Sequence, residues 1–238
     1  MFIKLQKCTW VTEREEIQTP TSELLLRKAI IANAMWAEGL SAGVVEQREA
    51  FEFMLGKPPI GVEHFDLDRP FRVYAKKADG RMATQGVSTC GLVAERILEL
   101  SGVGWPWRDQ PYSIGTAISR SIGWATRRRV WSSKGMPKPG DLCVIGNDLD
   151  VHAFVVIANS GSVVVSIDGG QIDGRKPPGV KCTGLQRIAK CARRWMSSGK
   201  QMLLGGKVYK GFVDIGLISK YLLLYNKANV PKGWNTDG

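Results

Sequence analysis

The hydrophobic pattern of this chain changes its period near Pro139, and that change limits the folds it can adopt. Before Pro139, apolar residues recur at helical spacing over about residues 22–38, then up to about Leu55, and again from Cys90 to Leu100. After it the pattern is that of short strands: Asp141–Ile145, His152–Ala158 and Val163–Ile167, with further candidates at Leu185–Trp195 and Met202–Ile215. At 185–195 the apolar positions fit a helix about equally well, and the break at Ser197-Ser198-Gly199 favours a strand. Helices followed by consecutive strands predict an α+β fold, with an antiparallel sheet packed on the helix that begins at Cys90.

The same pattern predicts how the chain is organised. The segment Thr19-Pro20-Thr21-Ser22-Glu23 supplies a capped helix start, and residues 1–60 are expected to form an N-terminal helical cap region. Residues 61–238 are expected to form the main domain, compact with the cap. Between Gly61 and Gly86 the pattern is loop-like, with one strand candidate at 71–74, and a further helix is expected around 114–126.

Cys90 lies in the first turn of a predicted helix, which is where a thiol is most easily activated. Unpaired backbone N–H groups and the positive end of the helix dipole stabilise a thiolate there. Gly91, the next residue, lets a substrate carbonyl approach the backbone closely, and the first-turn N–H groups could also stabilise an oxyanion. The alternative interpretation is a small buried apolar side chain, because free cysteine is among the most buried residue types.

His152 opens an apolar strand and is one of only two histidines in the chain. A histidine at a strand end can face a cleft, and a Cys–His pair is the arrangement of nucleophilic cysteine enzymes. The other histidine, His64, is interpreted as a loop residue. His152 is therefore the expected general base for Cys90.

Two residues compete for the third role, which is to orient the imidazole. Asp168 and Gln171 both follow the next strand, which a turn at Asn159-Ser160-Gly161 joins to the histidine strand. A turn centred on Ser160-Gly161 places residue 169 opposite His152, so Asp168 reaches the histidine face only through a one-residue shift, for which the pair Gly169-Gly170 suggests a bulge. Asp168 is the better candidate, although it could also be a strand-end turn residue.

At this point three segments resemble the NlpC-type and CHAP-type cell-wall peptidases and amidases, which are papain-like cysteine enzymes. Thr89-Cys90-Gly91-Leu92-Val93 is similar to their nucleophile helix start, Pro139-Gly140-Asp141-Leu142 to the start of one of their strands, and His152–Ile157 to their histidine strand. The resemblance covers about residues 80–172. The chain departs from the usual Asp-Cys-Ser-Gly pattern, with one residue fewer between the cysteine and the apolar run.

The resemblance implies a papain-like fold and amide hydrolysis in bacterial peptidoglycan through a thioester intermediate. Catalysis is then assigned to Cys90, His152 and Asp168, and substrate contacts to Thr89, Gly91, Gln171, Trp105 and Trp107. Aromatic side chains suit sugars and peptide stems, although they could equally be core residues. With two histidines and no C-x-x-C pair, we expect no metal site and no cofactor.

Charge and targeting features bear on partners and location. Residues 101–238 carry 20 Lys/Arg against 8 Asp/Glu, which favours a polyanionic partner such as an anionic wall polymer or nucleic acid. We expect no membrane span and no signal peptide, hence synthesis in the cytoplasm and release by lysis or a secretion machine, as for a phage lysin or an antibacterial effector with an immunity protein. The alternatives are a basic module that binds nucleic acid or anionic surfaces, and a papain-like acyltransferase or deamidase.

Overall fold

The structure is a computed structural model that describes residues 22–40, 45–55, 62–65, 72–76, 82–86, 89–103, 122–123, 125–146, 151–169, 189–198 and 202–220. Its helices are α1 (Glu23–Glu38), a 3-10 turn (Val45–Gln47), α2 (Arg48–Leu55) and α3 (Thr89–Leu100). Residues 122–123, 125–127 and 215–220 are also helical.

The described residues form ten strands, which belong to two sheets. The strands are β1 (Val62–Phe65), β2 (Arg72–Lys76), β3 (Met82–Gly86), β4 (Trp131–Ser132), β5 (Leu142–Gly146), β6 (Val151–Asn159), β7 (Val163–Gly169), β8 (Ala189–Ser197), β9 (Leu203–Leu204) and β10 (Lys207–Val213). The α+β class and the antiparallel sheet predicted from the sequence are confirmed.

The larger sheet closes on itself. Its strand order is β4-β10-β5-β6-β7-β8-β9, and β9 pairs again with β10. Every pairing in it is antiparallel. Closure divides its side chains into an inner set and an outer set, because successive residues of a strand point to opposite faces. The sequence predicted an antiparallel sheet but not this closure.

Two apolar clusters occupy the two faces of the closed sheet. The inner cluster contains Cys143, Ile145, Phe154, Val156, Val164, Leu204, Tyr209 and Phe212. The outer face packs against the helices: Val144, Val155 and Ile167 share one cluster with Leu26, Ile30 and Ala34 of α1 and with Val93 and Ile97 of α3. The nucleophile helix predicted at Cys90 therefore lies against β6 and β7.

Local hydrogen bonds explain where α1 begins and where α3 ends. The Ser22 hydroxyl accepts from the Leu25 amide at 3.3 Å and caps α1, as its sequence predicts. After α3, Gly102 takes a positive φ of 87°, and the Val103 amide donates to the Leu98 carbonyl at 3.0 Å. That pattern is a Schellman ending, which satisfies a carbonyl of the last turn.

Pro139-Gly140-Asp141 joins the first helix to the closed sheet. The Asp141 carboxylate is fully buried and accepts from Arg27 at 2.8 Å, from the Lys138 amide at 2.6 Å and from the Ile215 amide at 3.0 Å. Gly140 has a φ of 94°, and a Cβ there would lie 3.1 Å from Cγ of Arg27. The glycine is required both by its backbone conformation and by the close approach of α1.

Three parts of the secondary structure differ from the sequence-based expectation. The stretch 61–86, predicted as mainly loop, contributes the small antiparallel sheet β1-β2-β3, and His64 lies on strand β1 instead of in a loop. The run 202–215 forms two strands, β9 and β10, because Gly205 and Gly206 both take positive φ and turn the chain. Most of the helix expected at 114–126 lies outside the described residues.

Candidate active site

Cys90 is the second residue of α3, and its side chain is buried, with 2% of the residue exposed. Gly91 is buried beside it. The first four N–H groups of any helix have no partner within that helix, so backbone donors and the positive dipole end lie at the end of α3 that carries the thiol. The sequence-based placement of Cys90 at a helix start is therefore what the structure shows.

His152 lies on β6, opposite Ile145 of β5, with 16% of its side chain exposed. Its Nε2 is 2.6 Å from Oδ2 of Asp168. A carboxylate oxygen can only accept, so Nε2 carries the proton of this hydrogen bond. The Cys90 side chain hydrogen-bonds the same ring. Since Asp168 holds Nε2, the nitrogen that remains for Cys90 is Nδ1.

A bulge sets the register that lets Asp168 meet His152, but it is not where the sequence suggested. Near the hairpin turn Asn159 pairs with Val164, and farther along the ladder Phe154 pairs with Asp168, with an irregularity between Val156 and Ala158. The extra residue is therefore Ile157 of β6 and not Gly169, which ends β7 in regular pairing with Ala189; Gly170 lies outside the described residues. By changing the parity of the pairing, the bulge puts Asp168 on the face of Phe154 and His152, diagonal to the histidine.

The three groups shift one another's proton affinities. Burial disfavours the charged imidazolium, but the hydrogen bonds that the ring donates to Asp168 and Cys90 outweigh it and raise the pKa of His152 to about 9. Burial also acts to raise the pKa of Asp168, yet the hydrogen bonds from His152 and Arg194 bring it below its usual value. At neutral pH the site therefore holds an imidazolium against a carboxylate.

Asp168 has two further partners that the sequence did not predict. The Ser166 hydroxyl donates to Oδ1 at 2.6 Å, and Arg194 of β8 binds both carboxylate oxygens, Nη1 to Oδ1 at 3.0 Å and Nη2 to Oδ2. Arg194 shares its strand with two exposed basic residues, Lys190 and Arg193, so nothing in the sequence indicates that this arginine points inward. Only the alternation of β8 once its pairing is known distinguishes it.

Of the residues predicted to contact substrate, Thr89 and Gly91 lie within the described part of the chain. Gln171, the alternative orienting residue, lies outside the described residues, as do Trp105 and Trp107. Thr89 opens α3 and Gly91 follows the cysteine, both adjacent to Cys90. Trp131 is half-buried on β4 and packs against the outer apolar cluster, which favours a core role for this tryptophan.

Three further findings concern possible metal ligands, free cysteines and membrane-spanning helices in the described residues. Within the described segments, no group of three or more His, Cys, Asp or Glu side chains could hold a metal ion. The free cysteines described are Cys90 and Cys143, both buried, and Cys191, which is exposed. No helix in the described part of the chain is long and apolar enough to cross a membrane.

Comparison of the chain with protein-family models, with curated proteins and with solved structures gives no match. Any assignment of function therefore depends on the geometry of the site and on the three sequence motifs.

Proposed function

We propose that the chain is a papain-like cysteine hydrolase that cleaves amide bonds of bacterial peptidoglycan. The observation that carries the proposal is the chain of contacts from Cys90, at the start of α3, to His152 and on to Asp168. A nucleophile, a base within hydrogen-bond reach and a third group that orients the base are the parts needed for nucleophilic acyl transfer.

The electrostatics favour an ion pair at rest. An imidazolium whose pKa is about 9 donates from Nδ1 to Cys90 and stabilises the sulfur as a thiolate. In the first step the thiolate sulfur bonds to the amide carbon, and the first-turn N–H groups of α3 stabilise the oxyanion. The carbon–nitrogen bond then breaks, the leaving amine takes the proton from His152, and a thioester remains.

Hydrolysis of the thioester returns the site to its starting state. His152, now neutral, accepts a proton from a water molecule that attacks the thioester carbon. The carbon–sulfur bond breaks, Cys90 leaves as a thiolate, and the product carries a new carboxylate. Asp168 keeps the ring oriented throughout and stabilises its cationic form.

Peptidoglycan as the substrate is supported by the similarity of three segments to cell-wall peptidases and amidases, and by the basic second half of the chain. One structural feature is compatible with contact to a polymer outside the site: Trp195 is 71% exposed on the outer side of β8, next to exposed Arg193. The same feature also fits the alternative of a basic binding module, which would not require Cys90.

Digestion of purified peptidoglycan separates these possibilities. The wild type should release soluble fragments in which each cleaved amide bond has taken up one water, with a new amine on one side of the cut and a new carboxylate on the other, identified by mass spectrometry. Cys90→Ala should release none, and His152→Ala should be at least 100-fold slower, because a positioned base contributes about 10²–10⁴-fold. His64→Ala is the matched control and should be close to wild type.

Other outcomes of the digestion would redirect the proposal. Fragments that carry an added amine in place of water would indicate acyl transfer, and exchange of a side-chain amide nitrogen for oxygen would indicate deamidation. Equal release by wild type and Cys90→Ala would reject the cysteine mechanism. Binding to peptidoglycan without cleavage, weakened steeply by salt and unchanged in Cys90→Ala, would support the binding module.

Alkylation provides a test that needs no substrate. Iodoacetamide should label Cys90 faster than Cys191 in the native protein, although Cys90 is buried and Cys191 is exposed, because the thiolate is the reactive species. Cys143 is fully buried, and burial raises its pKa far above the usual range, so it should label slowest of the three. Cys182 lies outside the described residues. Faster labelling of Cys191 than of Cys90 would remove the main support for an activated thiol.

A further inference from the structure

Arg194 of β8 is largely buried, unlike the residues on either side of it in the sequence. Its side chain is only 14% exposed, whereas its neighbours in sequence, Arg193 and Trp195, are exposed on the other face. Arg194 pairs with Val164 of β7, which belongs to the inner cluster of the closed sheet. The arginine therefore extends along the interior of the sheet toward the end where His152 lies.

Arg194, Ser166 and His152 together donate hydrogen bonds to both oxygens of the Asp168 carboxylate. Oδ1 accepts from Ser166 and from Nη1 of Arg194, and Oδ2 accepts from His152 and from Nη2 of Arg194. Nη1 of Arg194 also donates to the Ser166 hydroxyl. Two oxygens offer about four lone-pair positions, so these four donors fix both the plane and the rotation of the carboxylate.

The guanidinium is itself held in place by its surroundings. Its central carbon lies 4.3 Å from the centroid of the Phe154 ring, a cation–π contact within the sheet interior. Gly205, with a φ of 59°, covers the aliphatic stem so closely that a Cβ there would lie 3.0 Å from Cγ of Arg194. Because both the head and the stem are packed, Arg194 can act as a rigid support for Asp168.

We propose that Arg194, assisted by Ser166, is a positioning residue that keeps Asp168 ionised and turned toward Nε2 of His152. The inference rests on the proposed function, in which His152 is the base for Cys90. Arg194 would act only through Asp168 and His152.

The charged groups near His152 determine what removal of Arg194 should do. They are Cys90 on α3, Asp168 on β7, and Arg194 with exposed Lys190 on β8, where Lys190 is the ladder partner of Asp168. The pKa of His152 is raised through Asp168 and Cys90, and Asp168 is the group that Arg194 holds in place. When a neutral side chain replaces the arginine and Asp168 is no longer held against Nε2, the pKa of His152 should therefore fall from about 9 toward its ordinary 6.5.

Titration of His152 by NMR tests the proposal without any substrate. The chain has two histidines, so comparison with His64→Ala assigns the His152 ring signals. In Arg194→Met we expect the pKa of His152 to fall by about one unit, because the imidazolium loses part of its hydrogen bond to Asp168. Arg193→Met is the matched control, the same substitution one residue away on the exposed face, and should leave the titration unchanged. An unchanged pKa in folded Arg194→Met, or the rise expected from removing a nearby positive charge alone, overturns the proposal.

Kinetics distinguish positioning from a structural role. Arg194→Met should lower kcat for peptidoglycan digestion about tenfold or more with little change in KM, since the ring and not the substrate is displaced. Arg194→Lys keeps the charge but not the planar fork, so it should hold the pKa of His152 near that of the wild type and recover part of kcat. Full kcat in Arg194→Lys would show that the two hydrogen bonds from Arg194 to the Asp168 oxygens are not needed, and would contradict the proposal. The lysine variant also provides this test if Arg194→Met does not fold.

The two proposals fail in different ways. If the wild type does not digest peptidoglycan but Arg194→Met still lowers the pKa of His152, the positioning contact stands and the assigned substrate is wrong. If the wild type digests peptidoglycan and neither the titration nor kcat responds to Arg194, the positioning role is wrong and the hydrolase assignment is unaffected.

Discussion

Two buried aspartates on the closed sheet, Asp141 and Asp168, are each paired with an arginine, yet their surroundings differ in one respect. Asp141 is held by Arg27 and by two backbone amides. Within the described residues, the partners of Asp168 are side chains: Arg194, Ser166 and His152. The partners of Asp141 keep their protons at all ordinary pH values, whereas His152 can gain and lose one.

Electrostatics separate the two carboxylates further. Burial raises the pKa of Asp141 to about 6, despite the favourable charge of Arg27. At Asp168 burial acts in the same direction, but the hydrogen bonds from His152 and Arg194 outweigh it and lower the pKa. Both carboxylates are charged at neutral pH, but Asp168, which faces two cations, keeps its charge to lower pH than Asp141.

The difference teaches which ion pair to associate with chemistry. Asp141 connects α1, the start of β5 and the last helical segment, and its loss should loosen the fold. Asp168 connects two strands to a histidine next to a cysteine, and changes there should alter proton affinity and reactivity. A buried Asp–Arg pair is therefore not by itself a sign of an active site, whereas one that includes a titratable third partner is a candidate.

The largest effect expected from this comparison is on stability at Asp141. Asp141→Ala leaves Arg27 and two buried amides without their acceptor, and removing one partner of a buried ion pair costs about 3–5 kcal/mol. Urea denaturation at neutral pH measures the loss. Turnover per folded molecule should stay near that of the wild type, because Asp141 does not contact the Cys90–His152 pair. A loss below about 1 kcal/mol, or a fall in turnover of the folded variant, would break the comparison.

A pH effect of slightly smaller size is expected from His152. Its pKa rises from the ordinary 6.5 to about 9 on folding, so the histidine stabilises the fold fully below pH 6.5 and progressively less as pH rises through 9. The shift corresponds to on the order of 3 kcal/mol. Asp141, whose pKa is about 6, still titrates in the lower part of this window, so the difference between the wild type and a His152 variant is what reports on His152.

Urea denaturation across this window, compared between variants, isolates the contribution of the histidine. The free energy of unfolding of the wild type should fall between pH 6.5 and 9 more steeply than that of His152→Gln. His64→Gln should follow the wild type. Equal slopes for wild type and His152→Gln would show that the imidazolium is not held by Asp168 and Cys90.

The sequence predicted the elements that carry the site well, because their signals are local. A capped, amphipathic pattern is enough to place α1, and the run after Cys90 is enough to place α3. The apolar strand after His152 is equally clear. Each of these signals lies within about ten residues, where periodicity and capping chemistry are reliable.

The register of the β6–β7 hairpin could not be predicted in the same way. The bulge at Ile157 needs neither a glycine nor a charged residue, so no residue type in the sequence indicates where it lies. Arg194 and Ser166 were missed for a related reason, since their contact with Asp168 depends on the pairing of three strands. Closure of the sheet depends on the two-residue strand β9, which is too short for any pattern to be read.

The smallest effect that sharpens the comparison concerns Glu23, the outermost member of the Arg27 network. Glu23 accepts from Nε of Arg27 at 2.8 Å one helical turn away, and 42% of its side chain is exposed. A hydrogen bond from Arg27 lowers the pKa of Glu23, but solvent screens an exposed pair. Glu23→Gln should therefore lower the free energy of unfolding by only about 0.3–0.5 kcal/mol, as is typical of helical pairs at this spacing.

The matched control for Glu23→Gln is Glu46→Gln, which changes an exposed glutamate of the 3-10 turn. The difference between the two variants in urea denaturation should be largest at low ionic strength and should shrink in 1 M salt, because the Debye length falls to about 3 Å there. A loss above about 2 kcal/mol for Glu23→Gln that salt does not reduce would mean that Glu23, Arg27 and Asp141 act as one coupled unit. The structural ion pair would then have a third ionisable member, as the pair at Asp168 does, and a titratable partner would no longer distinguish the two aspartates.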